Sequence, residues 1–218
     1  MKYKACNSTN FKRGRISDIK FIVIHFTANN GDTAKNNADY FANNNNLSAS
    51  AHYFVDENEV WQSVNDGDTA WHCGGTSYKH PSCRNANSIG VEMCSRKDSS
   101  GKYYIKEETI KNTIELVKTL MAEHNIPIEH VIRHYDVTGK NCPAPLVENA
   151  DKWVEFKNRL SSPSVKLESG NDIVWELMNG KYKIEITEVQ RAIKAIDNAK
   201  NNAEFSPCYW MLYKIVNK

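Results

Sequence analysis

The sequence predicts an α/β domain followed by a small, mainly helical C-terminal domain, and three observations predict it. Residues 18–25 form an apolar, largely β-branched run, which is typical of a strand with both faces covered. Apolar residues between 107 and 124 recur at spacings of four, three and four, which places them on one face of a helix. Residues 161–164 are small and favour turns, so they indicate a boundary between the two domains.

The remaining elements of the first domain follow from the same patterns. Helices are predicted around Tyr40 and Phe41, before an Asn-rich loop at 43–46, and at residues 107–124 and 146–160. Strands are predicted at residues 18–25, 51–55, 59–64, 88–94 and 128–133. The turn-forming residues 56–58 favour a hairpin between the second and third strands, and Pro127 is expected to end the long helix. Strands mixed with covering helices over about 160 residues make an α/β domain of ordinary size.

The C-terminal part of the chain follows a predicted linker at residues 161–166. Three short helices are predicted there, at residues 172–178, 187–199 and 209–216. A segment of about 50 residues is marginal for an independent hydrophobic core. We therefore expect this domain, residues 167–218, to pack closely or to associate with a second copy of itself.

Composition and charge exclude several classes of protein. The chain has 218 residues, of which 40% are hydrophobic and 25% charged, so disordered, collagen-like and coiled-coil proteins are excluded. No window approaches 18 uninterrupted apolar residues, and the first 15 residues lack the apolar centre of a secretory signal. A net charge of +2 is too balanced for the broad basic surface that nucleic-acid binding usually needs. We expect neither a nucleic acid nor a membrane as partner, and no signal peptide.

The six cysteines do not form a recognisable framework. They stand at positions 6, 73, 83, 94, 142 and 208, in a chain too large to need disulfides for stability. No two of them are spaced as CxxC, which excludes zinc ribbons and thioredoxin-like redox sites. Cys73 and Cys83 can pair only if the loop between them folds back, and the sequence leaves that open.

Two histidines and one cysteine form a candidate zinc site. His25 ends the first buried strand, and the ends of such strands open onto ligand sites in α/β sheets, although His25 alone fits a core histidine better. His134 and Cys142 lie eight positions apart and bracket a loop in which Gly139 allows a hinge. Two imidazoles and one thiolate supply three zinc ligands and leave a fourth position for water, as in catalytic zinc sites.

Glu92 and Lys140 are candidates for the accompanying chemistry. Glu92 lies in an otherwise apolar strand, where an unpaired carboxylate is costly. It either forms a buried salt bridge, with Arg84 or Arg133 as partner, or takes a proton from a water that a metal has activated. Lys140 stands two residues before Cys142, and a cation there would stabilise the oxyanion formed when water adds to an amide, although an exposed loop lysine is ordinary.

Six short segments resemble, in order and approximate spacing, the zinc-dependent N-acetylmuramoyl-L-alanine amidases, a class that includes phage amidases and peptidoglycan recognition proteins. They are residues 22–27, 50–55, 70–72, 87–92, 133–134 and 140–143. The resemblance covers about residues 15–160 and implies a central mixed β-sheet flanked by helices. Several separate segments agree, so the resemblance is specific.

The resemblance also implies roles for individual residues. The zinc ligands of the family match His25, His134 and Cys142, so Zn²⁺ is the implied cofactor. Glu92 matches the carboxylate that many bacterial and phage members use on the attacking water, and Lys140 matches the cation that stabilises the transition state. His52 falls where some members carry a catalytic tyrosine, and it is a further catalytic candidate.

The implied function is that of an endolysin that hydrolyses the amide bond between N-acetylmuramic acid and the L-alanine of the peptidoglycan stem peptide. Residues 1–160 would be the zinc amidase domain. Residues 167–218 resemble the cell-wall-binding modules of amidases from phages and prophages of Gram-positive, particularly clostridial, bacteria. The implied partners are bacterial peptidoglycan and secondary wall polymers. An endolysin without a signal peptide is expected in the host cytoplasm until lysis, and then at the cell wall.

Alternatives stay open at this stage. Trp71 and His72 match a family segment beside the cleft, where they either contact substrate or pack. A non-catalytic peptidoglycan-recognition module would use the same groove, although such modules typically lack the thiolate that Cys142 supplies. A cysteine hydrolase would use Cys73 or Cys142 with a histidine. The sequence does not distinguish a stem peptide with diaminopimelate from one with lysine.

Overall fold

The computed structural model describes residues 1–161, which include nearly all of the predicted first domain. The helices predicted between 172 and 216, and all but the first residue of the predicted linker, lie outside the described residues. Within the described range, no helix combines the length and the apolar character needed to cross a membrane.

The described residues form ten strands and five α-helices. In chain order the strands are β1 (Lys2–Tyr3), β2 (Phe11–Lys12), β3 (Phe21–Phe26), β4 (Tyr53–Val55), β5 (Val60–Gln62), β6 (Thr69–Ala70), β7 (Ser88–Met93), β8 (Arg96–Lys97), β9 (Tyr103–Tyr104) and β10 (Val131–Arg133). The helices are α1 (Ala34–Asn43), α2 (Glu107–His124), α3 (His134–Thr138), α4 (Ala144–Val147) and α5 (Ala150–Ser161). Three short 3₁₀ turns lie at Ser8–Asn10, Asn85–Asn87 and Ile128–His130.

Six strands form the central sheet in the spatial order β1, β5, β4, β7, β3, β10. Only the β4–β5 pair is antiparallel in this sheet, and it is the predicted hairpin. The other pairs are parallel, so the predicted mixed sheet is confirmed. Two small antiparallel pairs, β2 with β6 and β8 with β9, lie outside it.

The central strands are covered on both faces, as the apolar run at 18–25 predicted. Ile22 and Ile24 face the main core, which contains the apolar side of α2 and α5 and is completed by Ile89, Val91 and Met93 of β7. Phe21 and Val23 face the opposite side, where they pack with other buried residues. Each fully buried aliphatic or aromatic side chain contributes roughly 1.5–3 kcal/mol to stability. The even positions of β3 therefore belong to the main core, and on the opposite face His25 follows Phe21 and Val23 near the end of the strand.

The long helix was predicted correctly, although its end has a different cause. α2 ends at His124 because Asn125 adopts the left-handed conformation and its N–H bonds the carbonyl of Met121. Asparagine tolerates this conformation, which closes a helix without help from proline. Pro127 lies beyond the end that Asn125 has already made, so the expectation that it ends the helix was wrong.

Two other predicted elements differ from the structure. The strand predicted at 128–133 contains only Val131–Arg133, because Ile128–His130 form a 3₁₀ turn. The single helix predicted at 146–160 is divided into α4 and α5. The division falls at Asn149, whose side-chain oxygen accepts a hydrogen bond from the N–H of Lys152, as a helix N-cap does.

Candidate metal and active site

The candidate site lies where parallel strands of the sheet end side by side. His25 is the fifth residue of β3, and the strand register places Glu92 of β7 directly beside it. β10 runs parallel to β3 on its other side, and His134 follows β10 at once as the first residue of α3. Because the carboxyl ends of parallel strands meet at one edge, residues far apart in the chain converge there.

Local interactions fix the turn that carries the remaining residues. Asp136 accepts hydrogen bonds from the N–H and Nε of Arg133, and it thereby caps the first turn of α3. Gly139 ends α3 in the left-handed conformation, at φ 87°, where glycine is favoured. Cys142 then returns to the sheet, and its carbonyl accepts a hydrogen bond from the N–H of Tyr135.

His25, His134 and Cys142 form a compact cluster. Their ligand atoms all lie within 4.8 Å of one another, and all three side chains are buried. The Cys142 sulfur is 3.8 Å from His25 Nδ1, and the rings of His25 and His134 have centroids 4.7 Å apart. The structure therefore brings together the three residues predicted to bind a metal.

The polar atoms of this cluster fit a zinc ion. Both ring nitrogens of His134 are buried and have no hydrogen-bond partner in the part of the chain described here. A buried polar atom without a partner costs about 1–3 kcal/mol, so such atoms are rare unless a ligand satisfies them. Two imidazoles and one thiolate are ligands that zinc prefers.

Burial keeps the histidines of the cluster neutral. It holds the pKa of His25 well below its ordinary value and lowers the pKa of His134 to about 4. Neutral imidazole is the form that binds metals. Burial also raises the pKa of Cys142 to about 12, so the thiol keeps its proton unless a cation is present to displace it.

Glu92 lies beside the cluster without a cationic partner of its own. Its Oε1 is 3.8 Å from His25 Nδ1, and its Oε2 is buried without a hydrogen-bond partner among the described residues. Burial raises its pKa to about 8, although the charge of Lys140 opposes this shift. A carboxyl group with that pKa exchanges a proton near neutral pH.

The buried salt bridge considered for Glu92 is absent from the described structure. Arg133 bonds Asp136 and the carbonyl of Leu146 instead. Arg84 donates to the carbonyls of His80 and Cys83. Neither arginine is therefore the partner of Glu92, and its carboxyl group lies beside the cluster of candidate metal ligands.

One cleft of about 710 Å³ contains the cluster, Glu92 and Lys140. Lys140 is an exposed residue at the rim, and its charge lowers the pKa of His134 after the larger effect of burial. One wall of this cleft comes from α1, with Asn36, Asn37 and Tyr40 among its residues. That wall was not identified from the sequence, where only the helix itself was predicted. The capping box of Thr33 and Asn36 marks the start of α1 but does not indicate that the helix lines a cleft.

The structure does not place His52 in this cleft. Its ring is fully buried, Nδ1 accepts a hydrogen bond from the N–H of Gly90, and Nε2 lies 2.7 Å from a guanidinium nitrogen of Arg15. The ring also packs edge-on against His72, with centroids 5.6 Å apart. Of the six residues singled out for the site, His52 alone lies apart from the other five.

Trp71 and His72 both line the cleft, which the sequence left undecided. His72 Nδ1 lies 3.0 Å from Nε2 of His25, on the side of the ring away from the rest of the cluster. No sequence spacing predicts this contact, because the two residues are 47 positions apart and meet only in the folded chain. Trp71 is held by its backbone N–H, which donates to the Ser50 hydroxyl.

Cys73 and Cys83 are both free, buried thiols in the apolar cluster behind the site. The Cys73 thiol donates to the side-chain oxygen of Asn85 at 3.2 Å. Neither of these two residues lines the cleft that holds Glu92 and Lys140. Among the cysteines in the described part of the chain, Cys142 is the one that lines it.

Comparison with known proteins gives a consistent result. The family model for N-acetylmuramoyl-L-alanine amidase matches residues 15–145. The chain is 38% identical to the N-acetylmuramoyl-L-alanine amidase BlyA of Bacillus subtilis over 161 residues, which is 68% of this chain and 42% of BlyA. It is 34% identical to CwlH of the same species over 200 residues, which is 84% of this chain and 74% of CwlH.

Solved structures agree with the sequence relatives. The structure of the catalytic domain of XlyA is 30% identical, with a TM-score of 0.60, and the match covers 73% of this chain and 99% of that one. A mutant endolysin from Bacillus subtilis is 33% identical, with a TM-score of 0.60, and covers 73% of this chain and 97% of that one. The chain spans less than half the length of some relatives, including 43% of a probable N-acetylmuramoyl-L-alanine amidase from Bacillus licheniformis.

Proposed function

The chain belongs to the N-acetylmuramoyl-L-alanine amidase family, and from this membership we propose that it is a zinc-dependent amidase of bacterial peptidoglycan. The bond cut would be the amide between N-acetylmuramic acid and the L-alanine that begins the stem peptide. One observation carries the proposal for this chain: three buried ligand residues, a carboxylate with a raised pKa and a lysine converge on one cleft.

His25, His134 and Cys142 would hold the zinc ion. The unpartnered nitrogens of His134 and the 3.8 Å approach of Cys142 to His25 Nδ1 support this assignment. When bound, zinc supplies Lewis acidity, which polarises a carbonyl and makes water a better nucleophile at neutral pH.

Glu92 would carry the proton in the reaction. Water adds through its oxygen to the amide carbon while one of its protons passes to a carboxylate oxygen of Glu92. When the carbon–nitrogen bond breaks, Glu92 returns that proton to the departing amine of L-alanine. A pKa near the working pH suits a group that must both accept and release a proton, and burial raises the pKa of Glu92 to about 8.

Lys140 would stabilise the negative charge that develops on the carbonyl oxygen. Its position at the rim of the cleft that contains Glu92 and the ligand cluster supports this role. A positioned cation acts strongly in such a site because the surrounding protein excludes much of the water. The wall formed by α1, with its Asn side chains, would face the polar substrate.

The products of wall digestion test the proposed activity. We expect purified peptidoglycan treated with the protein to gain free L-alanine amino groups without new reducing sugars. New reducing ends would instead indicate a glycosidase. An inactive protein that still binds peptidoglycan would favour the alternative of a recognition module, in which the Cys142 thiolate would have no catalytic purpose.

A cysteine hydrolase is the other alternative, and the geometry disfavours it. Cys73 is fully buried, and its thiol is engaged with Asn85. Cys142 lies within the ligand cluster. A metal mechanism predicts that chelation abolishes hydrolysis and that added zinc restores it. A cysteine mechanism predicts activity that survives chelation and is lost on alkylation.

We further propose that residues 167–218 direct the protein to the cell wall, where it would act once the host membrane is breached. The proposal rests on the resemblance of this segment's sequence to wall-binding modules. Peptidoglycan and secondary wall polymers are the proposed ligands, and self-association through this segment is a second possibility to be tested by sedimentation of the full chain.

A further inference from the structure

His72 contacts His25 on the side of that ring away from the other two ligand residues, and it has no role in the proposed mechanism. Its Nδ1 is 3.0 Å from His25 Nε2, and its Nε2 is 3.1 Å from the Ser88 hydroxyl oxygen. Ser88 in turn donates its hydroxyl proton to the carbonyl of Arg84 at 2.7 Å. These contacts form one chain of hydrogen bonds that runs from a ligand residue to the backbone.

The direction of each bond in this chain follows from its fixed end. A backbone carbonyl can only accept, so the Ser88 proton points to Arg84 and the Ser88 oxygen is left to accept from His72 Nε2–H. A neutral imidazole carries one N–H, so Nδ1 of His72 is then an acceptor. It accepts the proton on His25 Nε2.

His25 is thereby held in a single tautomer. With its proton on Nε2, the lone pair of the ring is on Nδ1. This nitrogen is the one that faces the cluster, 3.8 Å from the Cys142 sulfur and 3.8 Å from Glu92 Oε1. The opposite tautomer would place a proton where a metal ligand must offer a lone pair.

The surroundings of His72 are shaped to hold its ring in this position. Gly90 lies under the ring, and a Cβ atom at that position would be 2.5 Å from Cγ of His72. The side-chain oxygen of Asn85 accepts hydrogen bonds from the N–H groups of both His72 and Cys73. The His52 ring packs against another side, with centroids 5.6 Å apart. The ring of His72 therefore has little freedom to turn away from His25.

We propose that His72 is a positioning residue that fixes His25 in the tautomer whose Nδ1 binds the metal, with Ser88 and the Arg84 carbonyl setting the direction of the bonds. The inference rests on the proposed zinc function, because it assigns a purpose to the orientation of a zinc ligand. Residues that hydrogen-bond the second nitrogen of a ligating histidine typically change metal affinity by about 10- to 100-fold when they are mutated.

Zinc affinity of the full-length protein, measured by competition with a chromophoric chelator, tests the proposal. His72→Leu removes both hydrogen bonds, and we expect zinc affinity to fall about 10- to 100-fold. His72→Asn and His72→Gln form a matched pair. The oxygen of Asn can stand where Nδ1 stood and accept from His25, whereas the amide of Gln reaches toward Ser88. We expect Asn to restore most of the affinity and Gln to restore little.

The tautomer itself provides a readout that a purely structural role would not move. In metal-free wild-type protein, long-range ¹H–¹⁵N spectra should show the proton of His25 on Nε2. In His72→Leu the proton should be distributed over both nitrogens. Ser88→Ala, a smaller change that keeps the ring, should weaken zinc binding less than His72→Leu and should provide the test if His72→Leu does not fold.

The outcomes separate this inference from the proposed function. A wild-type protein that binds no zinc and cleaves no peptidoglycan defeats the proposed function, whatever the tautomer of His25. A zinc amidase whose affinity is unchanged in folded His72→Leu and Ser88→Ala variants overturns the inference alone. A proton on Nδ1 of His25 in the metal-free wild type, or equal affinities for the Asn and Gln variants, also overturns it.

Discussion

Several side chains of the site are buried in surroundings that disfavour their charged forms. Burial keeps His134 neutral and the Cys142 thiol protonated, and it favours the acid form of Glu92. At neutral pH the shift of Glu92 is the one of these three that costs much stability, because an ordinary imidazole and an ordinary thiol are already largely neutral there. Zinc binding would in turn favour the neutral imidazoles and the thiolate. Single substitutions can therefore separate metal binding from proton transfer.

Replacing the sulfur ligand should remove metal and activity together. We expect Cys142→Ser to lower zinc affinity more than about 100-fold, beyond the effect of mutating a residue outside the ligand set, and to abolish hydrolysis. Equilibrium dialysis with zinc measures the first effect, and release of L-alanine amino groups measures the second. Cys6→Ser is the matched control, since Cys6 is another buried free cysteine but lies outside the cluster. A Cys142→Ser protein with normal zinc affinity would remove the thiolate from the site.

Replacing the carboxylate should separate the two properties. In Glu92→Gln the ligands are intact, so we expect zinc content to be unchanged while kcat falls about 10²- to 10⁴-fold, the usual contribution of a positioned acid–base group. Glu115→Gln, on the exposed side of α2, makes the same chemical change away from the cleft and should have no effect. Full turnover by Glu92→Gln would show that this carboxylate does not carry the proton.

The raised pKa of Glu92 predicts a pH dependence of stability in the metal-free protein. The pKa of Glu92 is about 8 in the folded state, whereas its ordinary value is 4.5. Between pH 4.5 and pH 8 the folded state therefore binds one more proton at this residue than the unfolded state. The free energy of unfolding must then fall as pH rises through this window. The upper end of this window, toward pH 8, is the clearest, since His134, whose ordinary pKa is 6.5 and whose folded pKa is lower, is mostly neutral there in both states.

Denaturant unfolding at several pH values in the presence of a chelator measures this dependence. Glu92→Gln cannot titrate, so its stability should fall less than that of the wild type as pH rises from 6.5 to 8. Parallel pH profiles for the two proteins would contradict the pKa inferred from the burial of Glu92.

At the scale of secondary structure, the junction between β10 and α3 decides where His134 points. Asp136 accepts three hydrogen bonds from Arg133, and Arg133 also bonds the carbonyl of Leu146 in α4. This network joins a strand and two helices directly beside a ligand residue. It fixes the position of His134 at the point where the chain changes direction.

Removing the network should therefore lower both the free energy of unfolding and the zinc affinity. We expect Asp136→Ala to lower the free energy of unfolding by about 1–3 kcal/mol, since it leaves partly buried donors of Arg133 unpaired, and to reduce zinc affinity. Asn149→Ala removes the cap of α5, away from the cleft, and should cost about 0.5–2 kcal/mol with zinc affinity unchanged. Urea denaturation and zinc competition measure the two effects. Equal zinc affinity in both variants would show that the junction does not orient His134.

The elements that the sequence predicts well are those set by the hydrophobic pattern. β3, β7, the β4–β5 hairpin and α2 all follow from the positions of their apolar residues. The break between α4 and α5 does not, because periodicity reports which positions are buried and is silent on whether Asn149 caps a new helix. The 3₁₀ turn at Ile128–His130 was missed for the same reason, since its apolar residue fits a strand equally well.

At the scale of the whole molecule, the fold explains why five of the six candidate site residues come together in one cleft. His25, Glu92 and His134 lie at strand ends, and Lys140 and Cys142 lie in the loop that follows. Because the ends of parallel strands meet at one edge of the sheet, the side chains at these ends can be expected to lie close together. His52 and His72 could not be assigned in this way. Their positions depend on the register around Gly90 and on which ring nitrogen meets which partner.

The catalytic part of the molecule should act without the rest. Residues 1–162 form one compact unit, and the catalytic domain of XlyA, whose fold it shares, is matched over 99% of its length. We expect a chain ended after Ser162 to hydrolyse soluble fragments of peptidoglycan at the wild-type rate but to act more slowly on intact walls. Comparing the two rates for both chains tests the proposed wall-binding role of residues 167–218. If the shortened chain lost as much activity on soluble fragments as on intact walls, the proposed wall-binding role of residues 167–218 would be contradicted.

The central claim is that two imidazoles and one sulfur of this chain bind zinc, and zinc K-edge X-ray absorption on the full-length protein tests it most directly. The account predicts one zinc per chain, with one sulfur at about 2.3 Å and nitrogen or oxygen neighbours at about 2.0–2.1 Å. In Cys142→Ser the sulfur contribution should disappear. A protein that stays metal-free in excess zinc, or a zinc shell without sulfur in the wild type, would contradict the claim.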